Sequence, residues 1–184
     1  MTSLSKQQMD AAQEFANVTI FALKVGEGVH AATVIAATAR MAGTYLFRSF
    51  GFKLAGVKPG QVVLSDAANE QGPLLIQIAH SVLSRMGIKL DNSQSGGITN
   101  SKNEPMLAFL ETQKKLEPLY RPIKACRGLT AQEAAQAAAV ATAFLIRHCA
   151  KVLHANVAFG IAAYGFVEGS KTAPEPVEIS SCAS

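Results

Sequence analysis

Thr130–Gly169 constrains this chain more than any other stretch: its forty residues hold thirteen alanines, four charges and no proline. Alanine is the strongest helix former, and a helix with so few charges has little to offer water. The segment therefore belongs inside an α-helical assembly. As one straight helix it would be about 60 Å long, too long for a compact domain of 184 residues. A bend near Asn156 or Gly160, or projection into a partner subunit, is expected.

Four more helices precede it. Over Ser5–Lys24, Ala11, Phe15, Val18, Ala22 and Leu23 gather on one side at 100° per residue, with Asp10, Gln13, Glu14 and Asn17 opposite. Gly26 and Gly28 interrupt it. Helix two, about Val29–Phe50, confines His30, Thr33, Arg40, Thr44 and Arg48 to one polar arc about 80° wide. The rest is apolar, and Ala32, Ala36, Ala39 and Gly43 recur at helical spacing, which lets two backbones approach closely.

Lys58-Pro59-Gly60 fits a tight turn, Ser65 or Asp66 can cap a helical turn, and Gly72-Pro73 restarts or kinks it, with a third helix following at Leu74–Met86. Asp91–Asn103 reads as a loop, whose Gly96-Gly97 allows a turn of backbone amides around an anion. Asn103 is placed as the cap of helix four, with Pro105 in its first turn and with Pro118 and Pro122 bending or breaking it. Thr130 and Glu133 form a capping box at the start of helix five.

The expectation is thus an all-α protein of about five helices in an antiparallel bundle or orthogonal array, with alanine-rich helices two and five central. Residues 1–169 form one domain and 170–184 a mobile tail containing Pro174 and Pro176.

Composition narrows the function classes. Charged residues make up only 16% of the chain, too few to coat a monomer of this size comfortably, so a homo-oligomer is expected. The net charge of +4 comes from scattered lysines and arginines without aromatic interleaving, which argues against nucleic acid. Val152–Val167, the longest uncharged apolar run, has sixteen residues, short of the roughly 20 a membrane span needs. Cys126, Cys149 and Cys182 are odd in number and widely spaced, as in a reduced cytoplasmic protein.

No motif dictates a reaction. Gly26-Glu27-Gly28-Val29-His30-Ala31 matches G-x-G-x-x-A, yet a helical pattern precedes it and no Asp or Glu occurs between Glu27 and Asp66. A glycine link between helices explains it better than a dinucleotide loop. His148 and His154 fall on different helix faces, and no H-x-x-x-H or H-E-x-x-H occurs, so no metal or cofactor is expected. His148 and Cys149 diverge by about 100° on a helix, which excludes a nucleophile–base pair there. No G-x-S-x-G or carboxylate pair appears, and no catalytic residue is assigned.

Two readings follow. The leading one is a non-catalytic, self-associating structural or interaction module. The alternative is a binder of a small anionic or carboxylate ligand between helices two and five. There the polar stripe carrying His30 and Arg40 would face one carrying Arg147 and His154. Both helices also carry a His-Ala pair, His30-Ala31 and His154-Ala155, compatible with a repeat or with helical composition alone.

Overall fold

The computed structural model of the chain describes residues 4–91 and 103–176. The protein is all-α. Six helices are present among the described residues: α1 (Lys6–Ala22), α2 (Ala31–Ser49), α3 (Asp66–Arg85), α4 (Phe109–Cys126), α5 (Ala131–His148) and α6 (Ala155–Lys171). The expected anion-turning loop at Gly96-Gly97, Cys182, and residues 177–184 of the expected tail lie outside the described residues.

Local capping sets several helix starts. Gln8 N donates to Ser5 Oγ (3.2 Å) while Ser5 N donates to Gln8 Oε1 (2.8 Å), which opens α1. Thr130 and Glu133 exchange the same pair of bonds at α5, as the sequence predicts. Between α1 and α2 the chain forms a two-residue antiparallel hairpin, β1 (Lys24–Val25) and β2 (Gly28–Val29). Gly26 alone takes a positive φ, +58°, the pattern of a type II′ turn with glycine first. The G-x-G-x-x-A stretch is this hairpin.

Proline does not break these helices. Helix α3 runs through Pro73 from Asp66, and α4 runs unbroken through Pro118 and Pro122. All three rings face solvent, as do Asn69, Lys114 and Pro118, whose carbonyls lose their helical donors. Carbonyls on the solvent side are open to water, so the cost is a missing bond and not a buried orphan.

Helix α4 also starts later than Asn103. Its first residue is Phe109, and Ala108 N donates to Glu111 Oε2 at 3.0 Å. The chain ahead of it is held against α2 by Thr33 and Arg40, which keeps it out of helical geometry. The long alanine-rich segment breaks over 149–154, before both positions expected to bend, and becomes α5 and α6. Asn156 sits in the first turn of α6, where its Oδ1 accepts from Asp91 N at 3.1 Å.

Helix α2 is the axis of the molecule and packs most extensively on α6 and α5. Every residue from Ala32 to Phe47 is buried, including Thr33, Arg40 and Thr44 of the polar arc. Gly165 lies against Ala36, Ala39 and Arg40, and Gly169 against Arg40, Gly43 and Thr44. Contacts that advance along both helices together make α2 and α6 parallel. Elsewhere α1, α2 and α4 meet through Phe15, Tyr45 and Tyr120, with the Phe15 and Tyr120 rings stacked at 4.1 Å.

Ser170, Thr172 and Ala173 are buried, and Val62 pairs with Thr172 in an antiparallel bridge.

Candidate functional site

The polar stripe of α2 is a seam inside the protein. At its N-terminal end His30 caps the helix with extended backbone, and its Nδ1 lies 2.7 Å from Thr33 Oγ1. Thr33 Oγ1 accepts from Met106 N at 3.0 Å. Two turns on, Arg40 donates through Nε to Glu168 Oε2 of α6 at 2.5 Å and through Nη1 to the Leu107 carbonyl. Near the C-terminal end Arg48 Nη2 donates to Glu117 Oε2 on α4 at 2.9 Å, and Nε lies 2.8 Å from Oε1 as an ion-pair contact. Each cation is matched by a carboxylate, as burial demands.

The four residues singled out from the sequence occupy different settings. Arg40 is buried in the α2–α6 seam. His30 and His154 cap α2 and α6, which places them at corresponding ends of two parallel helices. His154 is exposed, and its Nδ1 accepts from Asn156 N at 3.4 Å. Arg147 is exposed in the last turn of α5. Among the described residues, no three His, Cys, Asp or Glu side chains come together as a metal-holding group.

A cavity of 260 Å³ opens between α2 and α6, with Arg40, Glu168, Glu104, Tyr164 and Ile161 in its walls. His30, Arg147 and His154 do not line it. Arg40 is already paired, and Glu104 adds a second carboxylate, so the walls lean negative. Tyr164 and Glu168 continue into a larger groove of 520 Å³, whose apolar walls include Val62, Phe109, Leu110 and Val167. Tyr164 is 64% exposed and Val62 63%, while Met106, next to Pro105 of the smaller cavity, is 73% exposed. The groove also carries Glu111, Glu168 and Lys171.

No protein-family model, curated protein or solved structure matches this chain. The chemistry of the site therefore rests on its own geometry: a neutralised ion pair beneath a wide apolar groove. Sequence reasoning passed over Glu168 and Tyr164. Glu168 carried a usable signal, being one of four charges in Thr130–Gly169. Tyr164 carried none, since an aromatic among alanines reads as core. Gln113 and Glu117, four apart on α4 and both buried, were also missed.

Proposed function

We propose that this chain is a non-catalytic, cytoplasmic interaction module that self-associates through the groove face of α6. The observation that carries the proposal is the exposed apolar surface of Val62, Tyr164 and Val167 around a 520 Å³ groove. Contiguous apolar surface of this kind marks an association site more often than free surface. Charges of both signs line the groove, Glu111 and Glu168 beside Lys171. A twofold axis that sets Glu111 or Glu168 of one copy against Lys171 of the other pairs opposite signs twice, which favours a second copy of the chain as the occupant.

A pocket for a small anion between α2 and α6 has weaker support, because Glu168 neutralises Arg40 and Glu104 lines the same cavity. Multi-angle light scattering over a range of protein concentrations tests the proposal. A dimer or larger closed assembly is expected; a monomer at every concentration overturns it.

A further inference from the structure

Residues 172–175, which follow α6, are held by groups that read main chain. Val63 N donates to Lys171 O at 2.7 Å, Ala173 N to Gln61 O at 2.9 Å, and Gly60 N to Ala173 O at 2.8 Å. One step further, the carboxamide of Gln113 meets Glu175 on both sides. Its Oε1 accepts from Glu175 N at 2.9 Å, and its Nε2 donates to Glu175 O at 3.4 Å. Arg48 Nη2 donates to the same carbonyl at 2.8 Å. Gln113 is 2% exposed, and Glu117 Oε2 fixes its amide at 2.7 Å while also pairing with Arg48. Between strand edge and clamp, Thr172, Ala173 and Pro174 are buried, and Pro174 walls a 210 Å³ cavity together with Phe47, Phe52 and Leu54. None of these bonds uses the Glu175 carboxylate.

A strand edge, apolar slots for side chains and a side-chain clamp on the backbone are the working parts of extended-peptide recognition. We infer that this groove is a binding site for an extended peptide carrying two small residues followed by proline, filled here in cis by residues 172–175. Because the clamp contacts only backbone at position 175, it accepts any residue there. A cavity of 450 Å³ continues past Glu175 and Pro176, lined by Leu110, Lys114, Pro118 and Arg121 among others. Lys114 and Arg121 are exposed and seven residues apart on α4, so they share one face. Glu111, Glu117 and Glu175 line the same cavity, so its charges are mixed and it sets no charge preference on the residues that follow. The ligand class is thus a proline-containing, extended peptide, and the cis segment competes with it. This inference is independent of self-association, because the readout is peptide binding and not subunit number.

The test uses full-length protein and a fluorescein-labelled peptide spanning residues 171–178, read by anisotropy. In one variant, Ala173→Asp puts a charge at a position that is 1% exposed and so releases the cis segment. In another, Val62→Cys with Thr172→Cys locks it. These two residues form the pair flanked by the 61–173 and 63–171 hydrogen bonds, a non-hydrogen-bonded pair with Cα atoms about 4.5 Å apart, suitable for a disulfide. Ala173→Asp is expected to bind the peptide at least tenfold more tightly than the oxidised lock. Adding Gln113→Ala, or replacing the proline of the peptide at position 174 by aspartate, removes that gain. Equal binding by folded Ala173→Asp and the oxidised lock overturns the inference. If Ala173→Asp does not fold, the reduced and oxidised forms of the cysteine pair are compared, and equal binding overturns it there too.

Discussion

Gly43 of α2 and Gly169 of α6 touch backbone to backbone. A Cβ on Gly43 would lie 2.6 Å from both Phe166 O and Ser170 N, and one on Gly169 would overlap the Arg40 carbonyl. Main-chain dispersion takes the place of interdigitating side chains along this seam. The closeness of the two helices is also what brings Arg40 onto Glu168 and closes the small cavity beneath the groove.

Gly43→Ala and Gly169→Ala are each expected to destabilise the fold by about 3 kcal/mol, since backbone must move to admit the methyl group. Thermal melts should register a loss of about 10 °C. Gly160→Ala in the same helix meets nothing within 4 Å and should stabilise by up to about 1 kcal/mol. Similar effects at positions 160 and 169 would contradict the close seam.

Breaking the Arg40–Glu168 pair from either side strands a buried charge. Arg40→Leu or Glu168→Leu alone should cost about 3 kcal/mol, whereas the double replacement should cost much less than the sum. Urea titrations of the two single variants and the double variant measure the coupling. Strict additivity would mean that the pair is not formed.

Alkaline pH should weaken the core. Burial raises the Tyr120 hydroxyl to about 12, partly offset by hydrogen bonds to Thr19 and Thr38, and burial pushes Tyr45 up further, with Glu117 adding to it. In the unfolded chain both ionise near 10, so above that pH the unfolded state binds fewer protons than the native state. Stability is therefore full below about pH 10 and falls as pH rises, by about 1.4 kcal/mol per pH unit for each tyrosine until its folded-state value is passed. Denaturant titrations from about pH 9 to about pH 12, followed by tyrosinate absorbance, check this. A flat profile would show that the rings are hydrated.

The proposed association face can be switched off without touching the core. Tyr164→Glu or Val167→Glu places a charge on an exposed apolar position and should leave the circular dichroism unchanged while halving the mass seen by light scattering for a dimer. Unchanged mass in both variants would move the interface elsewhere.

Thiol chemistry separates Cys126 from Cys149. Cys126 is exposed, whereas Cys149 is 4% exposed and burial raises its thiol pKa. A thiol reagent should modify Cys126 in native protein and reach Cys149 only on unfolding. Fast labelling of native Cys149, read by peptide mass spectrometry, would indicate that α5 opens locally.

Local rules were enough for some of this. Thr130 and Glu133 lie within one helical turn, so their capping box can be read directly. The small residues Ala36, Ala39 and Gly43 correctly announced close backbone contact, although their partners, Gly165 and Gly169, could not be named. The polar stripe of α2 was visible as a pattern but open in meaning, because an exposed edge, a ligand pocket and an internal seam share the same spacing.

What the amino-acid order settles is helix content, the Thr130 cap and the buried character of two alanine-rich regions, because each depends on side chains a few residues apart. Whether Pro118 breaks a helix turns on which way its ring faces, and whether Arg40 is free turns on Glu168, 128 residues away. Only the assembled packing of α2, α4 and α6 places those groups in contact or in water, and hydration and pairing are properties of that arrangement.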